Sequence, residues 1–298
     1  VRVFVAGATG AVGRFLVPLL LEAGHQVTGT ARTRAGLDRL REQGAIPVQV
    51  DVFDAGGLVE AVAAASPDAV IHQLTALAKG TPADNGRIRR EGTRNLVDAA
   101  VRAGVTRIVA QSVAWAYAPG DPPAGEDVPL DRTAPPPRAN MIGGIAALEE
   151  TAAELDEHVV LRYGTFYGKG TWYSPDGLVA DVLRGEGNAG RAAAFVGRLQ
   201  ADDGVTSFVH VEDAARAAVA ALDWPSGPVN IVDDEPAAAR DWLPVLAAAF
   251  GAPPPPAATG RAGWQRGASN ARARSFGWRP RHSSWRTGFT TMEGAERT

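Results

Sequence analysis

Residues 7–13 read Gly7-Ala8-Thr9-Gly10-Ala11-Val12-Gly13. The segment follows residues 1–6, apolar except for Arg2, and precedes the helical spacing of Val12, Phe15, Leu16, Leu19 and Leu20. Three glycines in a strand-to-helix turn permit a tight bend, close approach of a pyrophosphate to the backbone, and close packing of helix on strand. The helix N-terminus then offers free N–H groups and the positive end of its dipole. Because strand, turn and helix occur together, Gly7, Thr9, Gly10, Ala11, Val12, Gly13 and Arg14 are expected to bind a dinucleotide.

The choice of cofactor is read after the second strand. A site for NAD usually places Asp or Glu there for the ribose diol. This chain has Thr30-Ala31-Arg32-Thr33-Arg34 instead. A carboxylate repels a 2′-phosphate, whereas a guanidinium binds one through paired hydrogen bonds. Arg32 and Arg34, with Arg14 closing the same corner, therefore point to NADP(H). Asp51-Val52 after the third strand suits the adenine amino group and ring.

The elements that position these residues alternate. Strand patterns at 26–31, 46–50, 69–71, 107–110 and 159–162 are separated or followed by helical patterns at 35–43, 57–65, 87–103 and 142–155. Such alternation implies α/β architecture, a Rossmann doubly wound parallel sheet covered on both faces. Beyond Arg162 the rhythm breaks into a Gly- and aromatic-rich excursion over 164–205. Strands follow at 207–211 and 229–232, with a helix at 212–222 between them, and a four-proline run that must be extended. The expected division is a cofactor domain over 1–163, with a returning segment 206–232. A smaller, sequence-discontinuous substrate-binding region and lid would cover 164–205 and 233–298, with Trp264, Trp278 and Trp285 packing its tail onto the body.

Composition narrows the function classes. The 298 residues are 45% hydrophobic and 21% charged, with net charge −3. The chain can bury a full core, and no basic stripe suggests nucleic acid. No apolar run approaches a membrane span. Opening directly on a strand leaves no room for a signal peptide, so a cytoplasmic protein is expected. Cysteine is absent and no His/Asp/Glu cluster has ligand spacing, which argues against thiol chemistry and a metal. The only lysines are Lys79 and Lys169.

Several segments resemble the extended short-chain dehydrogenase/reductase family, which includes sugar-nucleotide epimerases. They are residues 7–13, Asp51-Val52, Ile71-His72-Gln73-Leu74, Gly92-Thr93-Arg94-Asn95-Leu96, Leu161-Arg162-Tyr163-Gly164, Phe166-Tyr167-Gly168, residues 208–213 and Gly277-Trp278-Arg279-Pro280. The resemblance implies further cofactor contacts from Gln73, Leu74, Thr75, Ala110, Tyr163, Thr165 and Phe166. It also implies a catalytic Ser or Thr, a Tyr, and a Lys four residues after it. Ser112 sits at the family serine, where it would hydrogen-bond a substrate carbonyl. Glu149 matches the acid that follows the family lysine by four. That register puts Met141 at the tyrosine, Ile145 at the lysine, and Arg89 where an assisting asparagine often lies. No Tyr or Lys occurs between Ala118 and Leu161 to restore the pair.

Hydride transfer survives this loss, whereas protein-assisted protonation does not; a positioned acid contributes roughly 10²–10⁴-fold. One solution is a substrate that carries its own acid, such as an aryl ketone with a neighbouring phenol. Tyr117, Tyr167, Trp172, Tyr173 and Phe195 suit flat aromatic surfaces, and Tyr117 is the remaining candidate for a substitute acid. The expected activity is therefore an NADPH-dependent ketoreductase acting on a polycyclic aromatic polyketide in antibiotic biosynthesis, as in atypical family members that reduce angucyclinones. The expected partner is a small aromatic molecule, with the chain a monomer or homodimer. A non-catalytic NADP(H)-binding redox sensor is the main alternative. A sugar-nucleotide epimerase or dehydratase is disfavoured because no base is visible. His72 and His210 read as structural, Asp213 as fixing the helix that follows it, and Glu149 and Glu150 as solvated.

Overall fold

The computed structural model describes residues 1–77, 80–186, 190, 193–194, 199–261 and 266–292. Two compact units are present. The first comprises Val1–Ser112, Ala139–Leu161 and Ala214–Val229; the second comprises Val113–Arg138, Arg162–Asp213 and Asn230–Thr298. The second unit thus takes in residues 113–138, which the strand-helix rhythm assigns to the cofactor half.

In the first unit, short β-branched runs form strands β1 (Arg2–Ala6), β2 (Gln26–Ala31), β3 (Ile46–Gln49), β4 (Ala69–His72), β5 (Arg107–Val113) and β6 (Glu157–Tyr163). After three further short strands, β7 (Thr165–Tyr167), β8 (Val205–Thr206) and β9 (Phe208–His210), strand β10 (Gly227–Ile231) joins the same sheet. Its order is β10-β6-β5-β4-β1-β2-β3. Parallel pairing of β1 with both β2 and β4 places the reversal of strand order at β1. Ligands of open α/β sheets bind at such a switch point, outside the carboxyl ends of the strands.

The helices start where short polar side chains cap them. Thr33 accepts from the Gly36 N–H at the head of α2 (Arg34–Gln43), and Asp54 accepts from the Gly57 N–H at the head of α3 (Ala55–Ala65). Thr81 and Asp84 form a reciprocal capping box, with Pro82 in the first turn of α4 (Pro82–Arg87). Phe4, Leu96, Val97, Ile108, Leu148 and Ala152 lie in one buried apolar cluster.

The helical pattern over 87–103 is not one regular helix. It runs as α4, then a π-helical turn (Ile88–Gly92), then α5 (Thr93–Arg102). A π turn inserts a residue and re-aims the side chains around it, and such turns concentrate at functional sites. Here Arg89 is turned inward and is only 7% exposed. Helix α6 (Arg138–Ala152) starts four residues before the sequence pattern suggests.

In the second unit, Tyr167, Tyr173, Phe208, Trp242, Trp285 and Phe289 form an aromatic core. Their rings meet edge-on, as in Phe208–Trp242 at 5.1 Å and Tyr167–Phe289 at 5.3 Å between centroids. Edge-to-face contact matches the positive ring edge to the negative face. Trp278 and Trp285 are buried, as the tail reading expects, whereas Trp264 lies outside the described residues. No helix among the described residues is long and apolar enough to cross a membrane.

Candidate functional site

Strand β1 ends at Ala6 and delivers the glycine turn to the switch point. Gly7 has φ +92°, which side-chain-bearing residues rarely adopt, and a Cβ there would stand 2.6 Å from the Gln73 carbonyl oxygen. A Cβ on Gly13 would collide with the backbone of Gly7 and Ala8. The Gly7 N–H donates to Thr30 Oγ1 at 3.2 Å, tying the turn to β2. Helix α1 (Gly13–Glu22) has no side-chain cap and no acid in its first turn. Although the Arg14 and Phe15 N–H groups donate to the Gly10 and Val12 carbonyls, the positive end of its dipole is left for an anion. These features fit a dinucleotide pyrophosphate, with Thr9, Gly10, Ala11, Val12 and Arg14 around it.

At the end of β2, Arg32 is exposed and its guanidinium has no partner among the described residues. Arg34 is also exposed and forms an ion pair with Asp38 at 3.2 Å. After β3, Asp51 is exposed and accepts from the Phe53 N–H at 2.9 Å, so it shapes the turn that carries Val52. The Val52 carbonyl accepts from Asn95 Nδ2 at 2.9 Å.

At the end of β4, His72 accepts the Leu74 N–H on Nδ1 at 3.1 Å, so Nε2 carries the proton and donates to Thr93 Oγ1 at 2.9 Å. Burial, with a smaller contribution from the Arg89 charge, pushes its pKa down to about 4. The ring is neutral and structural, and it fixes the segment of Gln73, Leu74 and Thr75. The Leu74 carbonyl accepts from Gln111 Nε2 at 2.8 Å. Ala110 is sealed in the core cluster, so its side chain cannot line a cofactor cleft.

The most informative geometry lies where β5 faces α6. Ser112 Oγ donates to Glu149 Oε1 at 2.6 Å. The serine proton is committed to a carboxylate, so this pairing conflicts with the expected donation to a substrate carbonyl. Glu149 is half-buried and holds Ser112, rather than being solvated as its helix position suggested. Two turns earlier, Met141 is partly exposed, and Ile145 between them is 1% exposed. Neither the tyrosine nor the lysine position offers a titratable group.

Arg89 packs on this face of α6. Its Cδ is 3.6 Å from where a Gly144 Cβ would be, and Gly144 lies one turn after Met141. No carboxylate or hydrogen-bond acceptor pairs with Arg89 among the described residues. Burial and the neighbouring Arg90 lower its pKa to about 10, which leaves it charged at neutral pH. The sequence held both signals, an arginine in an apolar helical pattern and a glutamate two turns from Met141, but neither contact could be read from spacing.

In the second unit, Tyr117 is not a free acid. Its hydroxyl donates to Asn230 Oδ1 at 2.6 Å and accepts from Arg162 at 3.0 Å. Burial raises its pKa above the ordinary phenol value. Tyr167 and Tyr173 belong to the aromatic core, where their burial serves packing rather than a ligand surface. Trp172 is partly buried at the edge of that core, and Phe195 lies outside the described residues. The rings of Tyr163 and Phe166 pack at 5.2 Å.

A small cavity is lined by Trp115, Gly164, Thr165, Thr206, Ser207 and Arg266, of which only Thr165 was expected. Thr206 Oγ1 is buried there with no partner among the described residues. His210, with its pKa lowered to about 4 chiefly by burial, stacks on His282 at 3.7 Å. Asp213 accepts from the His282 backbone at 2.8 Å, so it anchors the C-terminal segment rather than its own helix. Lys169 is exposed, and Lys79 lies outside the described residues. No group of three or more potential metal ligands occurs among the described residues.

Comparison with known proteins agrees with this architecture. The chain is 44% identical to a 3-diazoavenalumate denitrifying reductase from Streptomyces sp. The match covers 97% of this chain and 99% of that protein. It is 27% identical to a UDP-N-acetyl-alpha-D-glucosaminuronate decarboxylase from Bacillus cytotoxicus, over 74% of this chain and 71% of that one. Among solved structures, the Thermus thermophilus UDP-glucose 4-epimerase in complex with NAD superposes with TM-score 0.73 and 25% identity, covering 97% of each chain. The Bordetella bronchiseptica enzyme WbmG in complex with NAD and UDP gives TM-score 0.76 at 22% identity, over 97% of this chain and 92% of that one, a likeness of fold. Residues 3–232 match the NAD dependent epimerase/dehydratase family, and the chain belongs to that family.

Proposed function

We propose that the chain is an NADP(H)-dependent reductase that adds hydride to an aromatic electrophile needing no proton from the protein, with an arenediazonium as its substrate class. The observation that carries this reading is the committed Ser112 proton beside Met141 and Ile145. When bound, the dinucleotide supplies one hydride per turnover. Gly7, Gly10 and Gly13 cradle its pyrophosphate, and Arg32, with Arg34 and Arg14, favours the 2′-phosphate form. Met141, backed by packed Ile145, excludes water beside the reacting group, and Glu149 keeps the Ser112 proton away from it.

An arenediazonium is matched to such a site. It takes hydride on its terminal nitrogen and becomes a neutral aryl diazene. The diazene then releases N2 as the carbon–nitrogen pair picks up a proton, leaving an aryl C–H bond. The one proton involved already resides on nitrogen or comes from water. The 44% identical relative is named for a diazo substrate and a denitrifying reduction, which supports the same class.

A ketone of a polycyclic aromatic polyketide, angucyclinone-like and carrying its own phenol, is the second reading. It rests on the same missing protein acid and on Trp115 in the second unit's cavity. The test mixes the protein and NADPH or NADH with freshly diazotised 3-amino-4-hydroxycinnamate, or with an angucyclinone ketone. Cofactor oxidation matched one-to-one by N2 supports the first reading, and ketone consumption without N2 supports the second. Tight cofactor binding with neither substrate consumed overturns both and leaves a redox sensor.

A further inference from the structure

We infer that Arg89 is an oxyanion subsite: its guanidinium binds an ionised oxygen of the aromatic substrate, a carboxylate or a phenolate, beside the face of α6 that carries Met141 and Ile145. The inference rests on the reductase reading for the aromatic character of the ligand, but not on turnover.

The argument begins with what a buried guanidinium requires. Arg89 is 7% exposed and, among the described residues, has neither an acid nor a hydrogen-bond acceptor as partner. By contrast, Arg87 pairs with Glu91, Arg94 with Glu154 and Asp98, and Arg107 with Glu157. A buried charge without a counter-ion is strongly unfavourable, so such groups are ordinarily paired or engaged with a ligand. Neighbouring groups do not supply the missing negative charge. His72 is neutral, and Arg90 adds a second positive charge.

The guanidinium is nonetheless reachable. Sealed, partnerless polar atoms occur among the described residues in Arg94, Tyr167, Thr206 and Trp242, but no nitrogen of Arg89 is one of them. Gly144 and Gly86 add no side chain of their own beside its stem, and the side chain next to them there is that of Arg90. Geometry selects the ligand's chemistry as well. A planar fork of N–H donors matches an oxyanion, and bidentate pairing gives both strength and orientation. Under the proposed function the glycine turn receives the cofactor phosphates, so the anion at Arg89 is assigned to the substrate. Binding there would hold the ring in one orientation against Met141.

The test measures binding, with tryptophan fluorescence as the readout, to the full chain loaded with NADP⁺. The probes are 4-hydroxycinnamate, its methyl ester, which lacks the carboxylate, and 4-methoxycinnamate, which lacks the phenolic proton. Charge-assisted hydrogen bonds of this type correspond to a change of about tenfold or more in Kd. The wild type should bind one capped probe at least about tenfold more weakly than 4-hydroxycinnamate. Weakening by the ester assigns the carboxylate, and weakening by the ether assigns the phenolic oxygen.

Arg89→Met should bind all three probes equally weakly, keep its NADP⁺ affinity, and melt at the same or a higher temperature, since an unpaired buried charge has been removed. Arg89→Lys should restore part of the preference. The inference is overturned by equal wild-type affinity for all three probes, by no saturable binding of any, or by a preference that survives Arg89→Met. A loss of NADP⁺ affinity or a lower melting temperature in Arg89→Met also overturns it. Because N2 release is not measured, failure here is distinct from failure of the reductase reading.

Discussion

The positive charge at Arg89 and the lysine that relatives carry four residues after their tyrosine should exclude one another, and Ile145→Lys tests this directly. Ile145 is 1% exposed, and the adjacent Gly144 packs on the Arg89 stem. An amine introduced there would lie roughly 8 Å from the guanidinium, which at an effective dielectric near 20 means a repulsion of about 2 kcal/mol. That alone lowers the pKa of the new amine by about 1.5 units, and burial lowers it further. An ordinary lysine titrates near about 10.4, so the introduced amine should titrate at about 8 or below.

The sign of the stability effect follows. The unfolded chain holds the extra proton up to about pH 10.4 while the folded chain has released it, so the variant gains stability relative to wild type as pH rises through that window. The chain has only Lys79 and Lys169 of its own, so NMR of isotopically labelled, N-methylated lysines would resolve the third. Adding Arg89→Met should raise the new pKa by about 1.5 units. The reasoning is refuted if the introduced amine titrates like an exposed lysine, or if removing Arg89 leaves its pKa unmoved.

Other expectations follow from the same geometry. Ser112→Ala should lower stability by about 1–3 kcal/mol in chemical denaturation, by removing the hydroxyl that donates to half-buried Glu149. It should change the rate of diazonium reduction less than about threefold, where a carbonyl-activating serine would cost about a hundredfold. Gly7→Ala should abolish dinucleotide binding in calorimetry, because a methyl at φ +92° would stand 2.6 Å from the Gln73 oxygen. Arg32→Glu should shift the ratio of NADPH to NADH affinity by more than about tenfold toward NADH, through loss of a charge-assisted contact and gain of a repulsion. Stability should fall as pH drops from about 6.5 toward 4, because His72 stays neutral in the fold while its unfolded counterpart takes up a proton. The contribution is about 3 kcal/mol, readable as an acid-side loss of denaturation midpoint that shrinks in His72→Gln.

The sheet and the glycine turn were legible because they rest on local periodicity. Strand β2 (Gln26–Ala31) has the bounds its pattern implies, and the parallel sheet follows from the strand-helix rhythm, whereas the strand order that reverses at β1 comes from the structure. The π turn was not legible. Ile88–Gly92 keeps an apolar spacing close to that of a regular helix, and only packing against Gly144 shows where Arg89 goes. The tyrosines were misread for a related reason. Tyr167 and Tyr173 suit a ligand wall or a core equally well by type, and the decision depends on Phe208, Trp242 and Phe289, distant in sequence. Glu149 and Glu150 lie side by side on one helix and both read as solvated by sequence, whereas Glu149 accepts from Ser112, thirty-seven positions away.

A site that had merely lost its function would look different from this one. Loss of the tyrosine and lysine alone would leave the serine free and would give no reason for a second buried cation nearby. Here the serine is held by Glu149, the lysine position is filled by packed Ile145, and the stem of unpaired Arg89 packs beside Gly144, one turn from Met141. With total stability of about 5–15 kcal/mol, a domain has little room for an unpaired buried charge that does nothing. On the proposed reading, the charge at Arg89 stands in place of the lysine's, and its different position changes what it can contact. In relatives it serves the tyrosine that moves a proton, whereas at Arg89 it can only hold an anion. A protein that orients an anionic aromatic molecule and leaves its proton alone is suited to a substrate that reacts with hydride unaided.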